Sequence, residues 1–278
     1  MTANSNVAPL ANIPSGPPAA GVPEVDSVRL FGIDFSNLSY EELCRFVDQR
    51  IAAREPGYVF TPNVDHAVKF ERCSDFREAY RGAMLRLVDG TVLMWACHWL
   101  GKPVKEKLSG SDIVPAFSEY AAEKGYSIFL FGAAPGIAGK AAETLRGRFP
   151  GLNVVGTYCP PMGFEEDEAE NAKAIEAVRM ASPDFLFVAL GSPRQEIWIA
   201  QHSGELGVPV TMGIGATLDF IAGRVKRAPR WMQRAGLEWV WRLLQEPRRL
   251  WKRYLIEDSA FLGMFIREWR RHKTTSNR

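Results

Sequence analysis

The second half of the chain alternates short apolar runs with amphipathic ones, and this rhythm restricts the fold more than any other feature. YSIFLFGA, LNVVGTY, DFLFVALG and VPVTMGIGA read as strands, and PGIAGKAAETLRGRF, EDEAENAKAIEAVRM and SPRQEIWIAQH between them read as helices. Pro135 stands near the start of the first helix, where a missing N–H costs little, and acids fill the first turn of the second, where the helix dipole favours them. Strands this apolar are buried on both faces, which calls for a parallel sheet covered by helices on each side. The first half repeats the pattern less cleanly. VRLFGI, YVFTPN and LRLVDG read as strands and VDHAVKFERCSDFREAYRGA as helical. SYEELCRFVDQRIAAR reads as a helix with Ser39 as N-cap and Leu43, Phe46, Val47 and Ile51 on one face. The expected fold class is α/β: a Rossmann-like, mainly parallel sheet with helices on both faces, in one body or two lobes, plus a helical C-terminal appendage. The expected boundaries are a disordered tail over 1–26, rich in Pro, Ala, Asn and Ser, a core over 27–225, and the appendage over 226–278.

The net charge of +2 hides a strong asymmetry: from Arg224 onward there are 15 Lys+Arg against 5 Asp+Glu, leaving 19 against 27 for the rest. A basic end of this kind faces an anionic partner. Cys44, Cys73, Cys97 and Cys159 form no CxxC pair, a pattern of reduced thiols rather than of a disulfide framework or a zinc site. The first residues lack a basic region followed by an apolar one, so no secretory signal is read, and no apolar run reaches the roughly 18 to 20 residues of a membrane span. The expected location is the cytoplasm, with any membrane contact made at the surface.

In such folds ligands bind beyond the carboxyl ends of the strands. Four strand ends carry candidates: Thr61-Pro62-Asn63, Asp89-Gly90, the stretch from Gly132 to Gly136, and GSPRQE from Gly191 to Glu196. Asp89 precedes the apolar run TVLMWACHWLG. There it is either a carboxylate of raised pKa able to act as a general base, or a turn and capping residue. Thr61 and Asn63 either bind a hydroxylated ligand or cap the next helix. His66 reads as a core or surface histidine, since no ligand cluster accompanies it. Gly132, Gly136 and Gly139 could bring backbone amides to a diphosphate or could pack strand on helix. Helix amides with Arg194 and Gln195 form a possible nucleotide site or a plain helix start. Asp219 reads as a structural tie to a nearby Arg. The acidic run at 165–168 reads as a solvated helix start, no DxD is present to hold a metal–nucleotide complex, and no metal site or cofactor is expected.

The appendage contains RAPRWMQRAGLEWVWRLLQEPRRLWKRYL. Pro229 and Pro247 can each begin a helix, and Trp231, Ala235 and Trp239 follow helical spacing opposite Arg230, Arg234 and Arg242. Leu250, Trp251 and Tyr254 form a stripe beside Arg248, Arg249, Lys252 and Arg253, and a third helix is expected from about Asp258. A basic amphipathic segment with aromatic edges suits an anionic membrane interface, or its stripes pack on the protein itself or on a second copy of it. No nucleic-acid motif is present, and nucleic acid is not an expected partner.

Taken in order, TPNVDH, LVDG, GKPVKEKLSGSD, FLFGAAPG, FPGLNVVGTYCPPMG, PDFLFVALGSPRQEIWI, GIGATLDFIAG and RAPRWMQRAGLEWVWRLLQEPRR resemble the WecG/TagA/CpsF family of bacterial glycosyltransferases over about Val28 to Tyr254. These enzymes act in teichoic-acid, enterobacterial common antigen and exopolysaccharide assembly. The resemblance implies an inverting, metal-independent transfer of a sugar from a UDP-sugar to a polyprenyl-diphosphate-linked saccharide at the inner face of the cytoplasmic membrane. It implies Asp89 as general base, Thr61 as a functional residue of the T-x-N turn, Asn63 at the donor sugar and Gln195 at the nucleotide. Lys107 stands where the family usually carries Arg, which keeps the charge and loses the bidentate fork. Arg230, Arg242, Arg248 and Arg249 are the appendage residues expected at the diphosphate. The competing classes are a nucleotide-cofactor oxidoreductase, against which the missing GxGxxG speaks, and a non-catalytic protein binding anionic lipid or nucleic acid.

Overall fold

The structure, a computed structural model, describes residues 25–276. The tail expected to be disordered lies outside the described residues except for its last two positions, of which Val25 packs at the margin of the core.

VRLFGI does not form one strand. It turns back on itself as an antiparallel hairpin, β1 (Ser27–Leu30) with β2 (Ile33–Ser36), around Phe31 at φ +53° and Gly32 at φ +80°. Two successive positive φ values suit the right-handed twist of a hairpin. The strain at Phe31 is offset by its ring, which is buried against Phe261 with centroids 4.9 Å apart.

Helix α1 (Tyr40–Ala53) begins at the expected cap. Ser39 accepts from the Glu42 amide while Glu42 accepts from the Ser39 amide, and Leu43, Phe46, Val47 and Ile51 all point inward. β3 (Tyr58–Phe60) follows. The long helix expected next is two, α2 (Val64–Arg72) and α3 (Ser74–Arg81), broken at Cys73, whose backbone is extended. The short strand β4 (Leu85–Arg86) leads through Asp89 into α4 (Thr91–Trp99), and α5 (Gly110–Lys124) completes this half. The alternation then runs as expected: β5 (Ser127–Gly132), α6 (Ile137–Arg148), β6 (Asn153–Tyr158), α7 (Glu168–Ala181), β7 (Phe185–Ala189), α8 (Arg194–Leu206), β8 (Val210–Gly213) and the short α9 (Thr217–Ile221).

Strands β3 to β8 make one six-stranded sheet in the order β4-β3-β8-β7-β5-β6, every neighbouring pair parallel. Both faces are buried. Phe185 and Phe187 of β7 enter one apolar cluster with residues of α1, α5 and α6, while Leu186 and Val188 enter another with residues of α2, α3, α4 and α8. The second cluster also takes in Phe261 and Met264 from the end of the chain.

The appendage is a series of short helices followed by a long one: α10 (Arg230–Arg234), α11 (Glu238–Gln245), α12 (Pro247–Lys252), a π-helical turn (Arg253–Glu257) and then α13 (Ala260–Ser276). Trp231, Ala235 and Trp239 therefore do not share one helix. Gly236 at φ +67° ends the first turn, and a Cβ there would come within 3.1 Å of the Trp95 ring, so the break also lets the chain press against α4. The stripe after Pro247 divides too: Leu250 is buried and Trp251 faces out. No helix among the described residues is long and apolar enough to cross a membrane.

Candidate active site

A cleft of about 600 Å³ opens over the carboxyl ends of β4, β3, β8 and β7, four adjacent strands, and the appendage closes its other side. The sheet order decides which sequence candidates meet. The ends of β3 (Thr61, Asn63), β4 (Asp89), β7 (Gly191, Ser192, Gln195) and β8 (Gly213 to Thr217) all line the cleft. The end of β5 lies on the far side of β7, and Gly132 is not among the lining residues. A Cβ on Gly132 would fall 2.7 Å from the Ala189 carbonyl oxygen, so this glycine packs strand on strand. The diphosphate cradle expected there is replaced by a packing role.

Asp89 follows β4 and precedes α4, whose first turn has no side-chain cap, so this aspartate is not a helix cap. Its amide donates to the Pro62 carbonyl at 2.9 Å, which fixes it beside the Thr61 turn. Burial pushes its carboxyl up to about 7; the negative charge of Glu238, brought by α11, adds to this, and Lys107 and Arg227 oppose it. Lys107 itself does not line the cleft. It is held 3.1 Å from Asp112, which Arg227 also grips at 2.6 Å, so it acts on Asp89 through its field.

Asn63 lines the cleft and caps α2 with its side-chain oxygen, 3.2 Å from the His66 amide. Thr61 is buried at the floor. Gln195 is buried as well: its oxygen accepts from the Gly215 amide at 3.1 Å and its amide donates to Glu196 at 2.5 Å, so it braces the glycine turn after β8. Burial pushes Glu196 up to about 7. Arg194 points away from the cleft and forms a two-pronged pair with Glu165, a correction to the nucleotide role considered for it and to the solvated reading of that acid. His66 is a core histidine, its Nδ1 2.7 Å from the Tyr80 hydroxyl, and burial pushes it down to about 3. Asp219 pairs with Arg224 at 3.1 Å, as a structural tie should.

From the appendage, Arg242, Arg249 and Arg253 line the cleft, whereas Arg230 and Arg248 are exposed outside it. Arg242 stacks over Phe220 at 5.7 Å, and the Nε atoms of Arg242 and Arg253 are buried without a hydrogen-bond partner among the described residues. Arg253 is seated by Asp65 at 3.1 Å, and Asp65 is bound at 2.6 Å by Lys69, which in turn donates to the Ser192 carbonyl at 3.1 Å. Burial raises the Asp65 carboxyl, but Arg253 and Lys69 outweigh it and leave the group below its ordinary value. Asp258 is pushed up to about 6 by burial and by the charge of Asp65. Sequence reasoning missed Asp65 and Glu238. Each is an acid in the first turn of a helix, where it reads as a partner of the dipole and nothing more. Among the described residues no group of three or more His, Cys, Asp or Glu is arranged to hold a metal ion.

A cleft over the strand ends, with the Asp89 carboxyl poised near neutrality and arginines in the same lining, is suited to activating a hydroxyl and receiving an anionic leaving group. The comparison with known proteins agrees: a family model described as glycosyl transferase WecG/TagA/CpsF matches residues 28–275. The chain belongs to this family. It is thus a glycosyltransferase. A relative from Bacillus spizizenii, named N-acetylglucosaminyldiphosphoundecaprenol N-acetyl-beta-D-mannosaminyltransferase, is 31% identical over 210 residues, covering 76% of this chain and 77% of its own. Relatives of the same name from Staphylococcus aureus strains MW2 and NCTC 8325 are 26% identical over 225 residues, covering 80% of this chain and 86% of theirs. The match runs through the appendage, so the arginines that face the cleft lie inside the region this glycosyltransferase shares with its family.

Proposed function

We propose that this glycosyltransferase moves a sugar, with inversion, from a UDP-sugar to a polyprenyl-diphosphate-linked saccharide, working at the surface of a membrane in the assembly of a cell-envelope polymer. The names of its relatives support the acceptor class, since they describe transfer to a sugar on diphosphoundecaprenol. The observation that carries the chemistry is Asp89, a carboxyl pushed up to about 7 in a cleft that also receives Arg242, Arg249 and Arg253. Asp89 takes the proton of the acceptor hydroxyl as its oxygen attacks the anomeric carbon from the face opposite the nucleotide. The bond from that carbon to the diphosphate oxygen breaks, and the electron pair leaves with UDP. The arginines meet the charge that develops there, a task a metal performs in other transferases, so the reaction needs no metal. Thr61 and Asn63 orient the donor sugar at the floor, and Gln195 acts by holding the glycine turn against the nucleotide.

The appendage also supplies the membrane contact. Trp231, Trp251, Leu255 and Ile256 are exposed among Arg230, Arg234, Arg248 and Lys252, a set of aromatic, aliphatic and cationic residues suited to an anionic interface. Asp89→Asn tests the central claim. Turnover is expected to fall by about a hundredfold or more while UDP still binds, as loss of a general base requires. Near-normal turnover in this variant removes Asp89 from the base role, and a loss of wild-type turnover on adding a chelator overturns the metal-free reading.

A further inference from the structure

The cleft is polar only on one side. From Asp89 the chain passes directly into α4, and that helix presents Val92, Ala96 and Trp99 to the cleft, an i, i+4, i+7 face. At the rise of an α-helix this face extends about 10 Å from its start near the carboxylate. It ends at Trp99, which is 63% exposed. Across from it stand Phe261, Leu262 and Phe265 of α13, and the rings of Trp99 and Phe265 meet edge to face at 6.2 Å. Leu262 is 66% exposed, and its row continues on the outer surface through Ile266 and Trp269, with the Lys273 ammonium 4.1 Å over the Trp269 ring. An apolar track therefore leads from an aromatic, cation-edged outer face to the reacting carboxylate.

A nucleotide sugar has no group that needs such a track: its base, ribose, phosphates and sugar hydroxyls are all polar. The acceptor class proposed above carries hydrocarbon joined directly to a diphosphate, and Arg242, Arg249 and Arg253 give the same cleft a cationic wall shared between that diphosphate and the one of UDP. We propose that the slot between α4 and α13 takes the isoprenoid units next to the acceptor diphosphate, drawing the head of the lipid out of the membrane and along the helix toward Asp89. The inference rests on the lipid-linked acceptor reading and adds the place where the lipid is held. Charge complementarity at both ends and continuity with the catalytic cleft favour this occupant over a second copy of the chain.

Two titrations with the full-length protein test it, one of a short-chain prenyl diphosphate and one of inorganic diphosphate. The wild type is expected to bind the prenyl compound about tenfold more tightly or better, because burying even a few methylenes is worth that much. Trp99→Ser with Leu262→Gln, both at exposed positions, should abolish that advantage while the melting temperature is kept. In turnover, the KM ratio between methyl and prenyl esters of the same sugar diphosphate should collapse in the double variant. Equal binding of the two probes by the wild type, or an advantage that survives both substitutions, overturns the slot. So does a straight alkyl diphosphate of equal length that binds far better than the prenyl one. Prenyl-selective binding without any sugar transfer to the prenyl acceptor leaves the slot standing and overturns the acceptor reading instead.

Discussion

Asp89 is set by three influences of different origin. The Thr61 turn fixes its backbone, burial in the cleft disfavours its charged form, and Glu238 repels that form from the opposite wall. A base must lose its proton before it can accept one, so activity should rise with pH and level off above about 7. The measured quantity is kcat/KM across pH 5 to 9, with a tenfold fall per unit on the acid side (about 1.4 kcal/mol). Glu238→Gln removes a like charge and should shift that limb to lower pH. A limb that stays in place shows that Glu238 does not act on the carboxyl. Local sequence showed only the apolar run beside Asp89, and there a cap or turn reading stood ahead of the base. The family resemblance picked out the residue, but Glu238 is far along the chain and only folding brings it near.

At the scale of elements, the appendage is held to the core by charge as well as by packing. Asp65 on α2 receives Arg253 from the π-helical turn and Lys69 from its own helix, and Lys69 reaches the Ser192 turn. Asp65 is only 3% exposed and Arg253 26%, so Asp65→Ala leaves a largely buried guanidinium with only the longer pair to Asp258, 4.0 Å away. Such losses cost about 3 to 5 kcal/mol when one member of a buried pair is removed. Here part of the cost should appear as release of the appendage. Limited proteolysis should cut the variant between Gly223 and Pro229 faster than the wild type, and turnover should fall. Unchanged cleavage and turnover together would show that Asp65 does not hold the appendage. The elements themselves were largely readable. The alternation after Tyr126 gave strand and helix in the right order, and Pro247 marked a helix start. The hairpin around Phe31 escaped because Phe-Gly is not a usual turn pair, and the break at Gly236 escaped because the aromatic spacing across it mimics one helix. Gly132 was misplaced for a topological reason: no local pattern tells that β5 lies beyond β7, away from the cleft.

For the whole molecule, the charge asymmetry of the sequence becomes a geometric one, with the excess of Lys and Arg gathered in the helices that carry the exposed tryptophans. Binding to vesicles rich in anionic lipid should therefore weaken as salt rises, since screening shortens the reach of these charges to about 8 Å near physiological strength. Co-sedimentation with anionic and with neutral vesicles measures it; equal binding to both would leave only the apolar residues as the anchor. A second test concerns the core. Phe261→Ala should destabilise the whole protein by about 3 kcal/mol, as loss of a buried aromatic ring does. A melting temperature close to that of the wild type would show that α13 is only loosely docked.

The contact between Phe31 and Phe261 joins the beginning of the fold to its last helix. During synthesis the hairpin leaves the ribosome well before its partner on α13. One side of the sheet thus stays uncovered while most of the chain is already made, with Phe31, Leu100 and the inner face of α4 open to other surfaces. The nascent protein is most adhesive until α13 emerges, and the membrane is one surface on which that helix can settle while the core closes beneath it.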